Sequence, residues 1–219
     1  MTRTLSGIYR GATADERRAE RRRRLLDAAL EVIGTQGWAA ATVRAVCEEA
    51  HVGPRFFYES FEDMNALAAA VHDEIVETAL TRTLAAVAEA PDDLEAKTHA
   101  ALETIIADLT DDPRRARVTF SEAHGSEVLM RRRFTAMRAV AEAMVGQIRG
   151  LVDLPGERER LLQAVSLVLT GGFAELVLVW LDGGIDCDRD ELVTICTEFA
   201  LTTTESLPRL SQRLSTRRG

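Results

Sequence analysis

Between residues 42 and 61, two short apolar-periodic runs meet at a tight joint, His51-Val52-Gly53, directly before Pro54. Neither run can hold a helix alone in water, because nucleation costs more than one or two turns return. The two must pack on each other and on a longer neighbour. Thr42 carries the side chain of an N-cap, ahead of a helix with Val43, Val46, Cys47 and Ala50 on one face. Proline suits a first helical position, so a second short helix is predicted from Pro54 to Ser60. Upstream, Leu25, Leu26, Ala29, Leu30 and Ile33 recur at helical spacing and predict a helix from Asp15, closed by Gly34 and Gly37.

No alternating strand pattern competes anywhere in the remaining sequence. Glu62 and Asp63 open a long predicted helix with Leu67, Val71, Ile75, Leu84 and Val87 inward. Asp92-x-x-Glu95 and Asp112-Pro113 start two more. Glu127 starts another, with Met130, Phe134, Met137, Ala141, Met144 and Ile148 on one face. After a break at Pro155-Gly156, a helix is predicted over 157–181. Asp188-x-x-Glu191 opens the last, showing Leu192, Ile195, Cys196, Phe199, Thr203, Leu207 and Leu210 on one side. The pattern predicts an all-α chain: a flexible arm at 1–14, a three-helix helix-turn-helix domain at 15–62, a larger helical domain at 63–212 with apolar surface enough for dimerisation, and a frayed tail at 213–219.

Charge is divided along the chain. Residues 1–60 hold ten arginines against eight carboxylates, whereas the other 159 residues hold 17 basic and 27 acidic side chains. A basic head on an acidic body suits contact with phosphate at one end only. Cys47, Cys187 and Cys196 form no CxxC pair and no ligand cluster with the four histidines, so no metal or cofactor is expected and the cysteines read as reduced packing residues of a cytoplasmic protein. Residues 1–27 show no secretory signal. Residues 161–181 have the length of a bilayer span, but Gln163, Ser166, Thr170 and Glu175 interrupt them, and burial in protein is the expectation over a membrane span. No HExxH, GxSxG or phosphate-cradling glycine loop argues for an enzyme.

A pair of short helices joined by a tight turn presents the second one to a major groove. With Val43, Val46, Cys47, Ala50, Val52, Phe57 and Phe61 inward, Pro54, Arg55, Tyr58 and Ser60 point outward. Phe56 is open to either base contact or packing. Arg55 has the planar fork that matches guanine. Tyr58, Ser60, Thr42 and Arg44 offer groups to phosphate, and Gly53 lies at the helix entrance. Arg17, Arg18 and the run Arg21, Arg22, Arg23 and Arg24 read either as a solvated charged face or as phosphate contacts. Double-stranded DNA is the expected partner.

From Arg22 to Leu67 the sequence resembles the TetR family of transcriptional regulators. The resemblance is carried by the helix ending at Gly37, Thr42-Val43-Arg44, Glu48-Glu49-Ala50, Val52, and Phe56-Phe57-Tyr58-Glu59-Ser60-Phe61. It implies an all-helical homodimer of about nine helices, commonly a repressor released from DNA by an inducer. His51 stands where the family often has glycine, Gly53 where a hydroxyl cap is usual, and Ser60 where His or Tyr is common. Met64 replaces a lysine that usually touches phosphate.

Beyond this window the sequence says less. The Met130, Phe134, Met137 and Met144 stripe reads by spacing alone as core. The resemblance implies that this helix lines a small-molecule pocket, with Phe120, Trp180, His99, Glu103 and His124 as further candidates. Gly171-Gly172 in an apolar helix suggests close approach of another helix. Together with Phe173, Leu176, Phe199 and Thr203 it forms the candidate dimer interface. A helical DNA-binding or interaction protein without ligand sensing remains the competing reading.

Overall fold

The computed structural model describes residues 13–151 and 159–216, and among them the chain forms nine α-helices and no strand. The arm before residue 13, the Pro155-Gly156 break and the last three residues lie outside the described residues. Helix α1 (Ala14–Gln36) begins at a capping box: Thr13 Oγ1 accepts from Glu16 N at 3.1 Å, and Glu16 accepts from Thr13 N at 2.6 Å. Gly34 stays inside this helix. Gly37 alone ends it, at φ 88°.

A 3₁₀ turn (Trp38–Ala40) leads to α2 (Val43–Ala50), whose first turn is capped by Thr42 as its sequence predicts. His51 takes the left-handed conformation that closes α2 (φ 51°, ψ 43°), an uncommon place for a side chain other than glycine's. Arg24 compensates from α1, since its guanidinium donates to the carbonyls of both Ala50 and His51. Helix α3 (Pro54–Ser60) follows, with Pro54 at its start. Leu25, Ile33, Val46 and Phe57 are fully buried among these three helices.

Helix α4 (Met64–Glu89), capped by Asp63, leaves this domain and runs into the next. Its N-terminal half contributes Leu67, Ala68 and Val71 to the first core. Farther along, Val87 is buried but Leu84 is exposed, so the inward stripe expected from 67 to 87 is not straight. Helix α5 (Leu94–Thr110) is capped by Asp93, one residue later than the sequence pattern suggests. A short helix α6 (Pro113–Ala116) continues as a π-helical turn (Arg117–Ser121) and a 3₁₀ turn (Glu122–Gly125) before α7 (Glu127–Leu151).

Helices α8 (Glu159–Leu181) and α9 (Arg189–Thr216) complete the bundle. Asp188 caps α9 as expected, but this helix runs on to Thr216, so residues 213–216 are helical and not a frayed tail. The second core joins α5, α8 and α9 through Leu102, Ile106, Val177, Leu192 and Cys196. Burial pushes the Cys196 thiol up to about 11, which keeps it protonated at neutral pH as a packing group.

Helix α8 is long and apolar enough to cross a membrane by length and composition, and 22% of that stretch is buried within the chain. It sends Leu162, Ser166, Leu169, Ala174 and Val177 inward and leaves Leu167, Val168 and Val179 outside. The stripe on α9 divides likewise: Leu192, Cys196 and Leu207 are buried, whereas Ile195, Phe199 and Leu210 are exposed.

The joint between the domains is tight at one point. A Cβ on Gly34 would stand 2.4 Å from Arg114 Cβ and 2.9 Å from its Cα, and neither atom is the far end of a flexible side chain. Gly34→Ala is expected to destabilise the protein by about 1–3 kcal/mol through overpacking. Gly146→Ala, in the middle of α7 where a Cβ meets nothing within 4 Å, is expected to stabilise by about 0.5–1 kcal/mol through helix propensity. Thermal denaturation of the two variants should move the midpoint in opposite directions.

Candidate DNA interface and regulatory cavity

The face formed by the start of α2 and the outer side of α3 is open. Thr42, Arg44, Gly53, Pro54, Arg55, Phe56 and Tyr58 are all exposed, and Ser60 is half-buried. Phe57 and Phe61 anchor α3 from beneath, with ring centroids 6.1 Å apart. Thr42 Oγ1 accepts from Ala45 N at 3.1 Å, which fixes the helix start that presents Arg44. Arg44 and Arg55 each hold a glutamate one turn later: Glu48 at 2.8 Å and Glu59 at 3.3 Å. Exposed pairs of this kind contribute little and exchange readily for phosphate or base contacts.

The arginines of α1 also have partners within the chain. Arg21 stacks over Phe56 at 4.4 Å from the ring centroid and lies 4.0 Å from Glu59. Arg22 covers Phe61 at 5.0 Å. Arg23 joins Asp27 and Glu74, and Arg24 holds the end of α2. These side chains brace the recognition helix against α1, and cation–π contact settles Phe56 as at least partly a packing residue.

The second site lies inside the bundle. Two adjoining chambers of about 120 and 150 Å³ sit between α4, α5, α7 and α8, and Leu80, Leu102, Val140 and Phe173 line both. Phe120 and Met137 line the first chamber, and Met144 lines the second. Three expected pocket residues lie elsewhere. Phe134 is 56% exposed on the outer side of α7, one residue out of register with the inward face. Trp180 packs beside the α5–α9 core and donates its indole N–H to the Cys187 carbonyl at 2.7 Å. His99 is exposed beside Glu103, on a shallow cleft lined also by Glu198. Nothing is described of the His124 side chain.

Sequence reasoning missed the polar members of the first chamber. Arg133, which takes the inward place expected of Phe134, is buried, pairs with Glu175 and faces the Phe120 ring at 5.7 Å. His72 is 1% exposed, and its Nδ1 has no hydrogen-bond partner; Asp73 Oδ1 lies 3.6 Å away. Thr170 Oγ1 is likewise buried and unpartnered. Both atoms belong to residues of the chamber wall. A polar residue at an inward position was the available signal, but periodicity arguments discount such residues.

One segment touches both sites. Val118, in the π-helical turn, is fully buried in the core of the N-terminal domain, while its neighbours Thr119 and Phe120 line the first chamber. Arg114 reaches Glu31 on α1 at 2.6 Å, Arg117 donates to the Thr35 carbonyl at 3.2 Å, and Glu122 accepts from Trp38 N at 2.7 Å.

Of the residues expected at a dimer interface, Gly172 and Phe199 are exposed and Thr203 is half-buried. Gly171 turns toward α7, where a Cβ would meet Met137 Cε at 3.2 Å. Phe173 and Leu176 pack within the chain.

A helix-turn-helix on a three-helix base, joined to a helical bundle with an internal cavity, defines a DNA-binding regulator of the one-chain, two-domain kind. Residues 25–71 match the family model described as bacterial regulatory proteins, tetR family. A search of curated proteins finds no match. Solved structures share the fold of the whole chain. A proposed transcriptional regulator from Pseudomonas aeruginosa PAO1 is 18% identical, with a TM-score of 0.71 over 90% of this chain and 95% of its own. A proposed TetR-family regulator from Rhodococcus sp. is 20% identical, with a TM-score of 0.67 over 85% of this chain and 98% of its own. The regulator FadR from Bacillus subtilis, solved in complex with stearoyl-CoA, is 18% identical, with a TM-score of 0.64 over 84% of this chain and 96% of its own.

Burial lowers the pKa of His72, with Arg132 adding to the effect and Asp73 opposing it. The unfolded chain therefore takes up a proton below about pH 6.5 that the native state resists. Stability should fall with pH through the window from about 6.5 down to the lowered native value. His72→Leu should flatten that slope in urea denaturation measured at several pH values; an unchanged slope would assign it to other groups.

Proposed function

We propose that the chain is a transcriptional repressor that binds a palindromic operator as a homodimer and is released by a small, largely apolar ligand. The observation that carries the reading is the shared segment 117–121. Val118 packs under the DNA-binding helices and Phe120 walls the cavity, so a ligand that moves Phe120 also strains the seat of α1. Helix α4 adds a second link, since Leu67 and Val71 belong to the N-terminal core while Ile75, Val76 and Leu80 line the first chamber. The ligand favours one relative placement of the domains and so changes the spacing of two recognition helices. A tenfold loss of operator affinity requires about 1.4 kcal/mol of preference between the two placements. That FadR, a protein of the same fold, was solved with stearoyl-CoA supports an extended acyl compound as the ligand class.

Dimerisation is proposed on the outer faces of α8 and α9. Val168 is 71% exposed, Phe199 58% and Leu214 52%, a density of apolar surface that suits a four-helix interface across a two-fold axis. Gly172, open to at least 4 Å, admits close helix approach there. Gly172→Arg should yield monomers with weak operator binding in sedimentation and gel-shift measurements. An intact tight dimer would move the interface off this helix face.

Within the DNA interface, Arg55 is proposed as the base reader and Tyr58 as a backbone contact. Arg55→Ala should cost about 1–3 kcal/mol on operator and relax preference at one base per half-site. Tyr58→Phe should weaken operator and scrambled duplexes alike. Equal loss on both duplexes for Arg55→Ala would make that residue an anchor.

The sensing mechanism is tested by Phe120→Ala. This variant should hold operator affinity near that of the parent while losing most of the release produced by a bound inducer. Full release by the same inducer would place the transmission elsewhere.

A further inference from the structure

The first chamber is not uniformly apolar: Arg133, His72 and Thr170 are among the residues that line it. Arg133 has nine-tenths of its side chain buried, yet only one carboxylate, Glu175, pairs with it, and that carboxylate is more than half exposed. A guanidinium carries five donors, and within the chain this one meets a single carboxylate and the face of the Phe120 ring. His72 Nδ1 and Thr170 Oγ1, on the same chamber wall, have no partner. Buried polar atoms are ordinarily satisfied, so two unpartnered atoms beside a buried guanidinium on one chamber wall point to a ligand that completes them. Beyond the shared wall at Leu80 and Phe173, the second chamber offers Leu84, Val87, Met144, Ile148 and Leu169. Its lining is mostly apolar, with Thr83, Lys97, Thr98, Gln147 and Thr204 as its polar members.

We infer that the cavity binds a free fatty carboxylate, head inward at Arg133, His72 and Thr170, with its chain running into the second chamber. This assignment rests on the proposed ligand-sensing function and names the chemistry that the sensor reads. Arg133 is suited to the head because its planar fork accepts a carboxylate in two parallel hydrogen bonds. Thr170 can donate its hydroxyl hydrogen to the same group, and neutral His72 can donate through one ring nitrogen. A thioester would bring a neutral carbonyl and a bulky substituent to this buried end. A free acid brings a charge and nothing beyond it.

The test is isothermal titration of the full chain, without DNA, with dodecanoate, dodecanol and dodecanoyl-CoA. Dodecanoate should bind at least about tenfold more tightly than the alcohol, the difference expected of one charge-assisted hydrogen-bonded pair. Arg133→Met should remove that preference, so that acid and alcohol bind alike, and measurable dodecanol binding shows that the cavity has survived the substitution. Arg133→Lys should retain part of the preference, as a point charge without the fork. If Arg133→Met does not fold, the comparison of the three ligands on the parent protein decides the matter. Equal binding of acid and alcohol, tighter binding of the CoA ester, or no binding of dodecanoate overturns the assignment. The release reading has its own readout. A dodecanoate that binds through Arg133 but leaves the operator complex intact defeats release and not the site. Another apolar compound that releases DNA, where dodecanoate fails to bind, defeats only the head-group assignment.

Discussion

The N-terminal domain does not complete its own core. Its three helices bury Leu25, Ile33, Val46 and Phe57, but the same cluster includes Val118 and Leu129 from the far domain, both fully shielded from solvent. Removing two such side chains from a small core forfeits several kcal/mol, a large share of the stability that a domain of this size can generate. The DNA-binding helices therefore hold their arrangement only while the 113–129 segment is seated beneath them. That dependence explains the close contact at Gly34 and the polar links from Arg114, Arg117 and Glu122. The ion pairs are partly exposed and weak individually; they fix direction, while the buried apolar contacts supply energy.

The fold was legible because local signals agreed with one another. Thr42 and Asp188 cap the helices they were expected to cap, Asp63 caps the helix it was expected to open, and Pro54 starts α3. Residues 25–61 could be read almost side chain by side chain, since a short helical motif admits few packings. The C-terminal helical bundle was less transparent for a geometric reason. Successive residues on a helix point about 100° apart, so a choice between Arg133 and Phe134 for the inward place decides the entire face. Hydrophobicity favours Phe134, yet Arg133 turns inward and Phe134 outward. Where a helix is apolar on two sides, as α8 and α9 are, sequence gives the number of apolar residues but not which neighbour covers them.

The arginine run of α1 shows the same limit in electrostatic form. As sequence, it is a block of positive charge; in the structure, each member of Arg21 to Arg24 has a specific internal partner. Arg24 offsets the unusual backbone of His51, and Arg21 with Arg22 holds the aromatic side of α3. The presentation of Arg55 and Tyr58 thus depends on charges held on α1.

Phe173 has a consequence that reaches beyond the cavity. It is part of the wall between the two chambers, and its ring meets that of Phe199 edge-on at 6.3 Å, where Phe199 opens onto the outer face of α9. A single aromatic contact therefore separates the interior void from the surface on which a second copy would rest. Any preference that a bound molecule exerts on the Phe173 ring is shared with that surface, and linkage runs equally in both directions. Occupancy would then depend on how much of the protein is present as well as on how much ligand is, so that a cell could tune the sensitivity of the switch simply through its copy number.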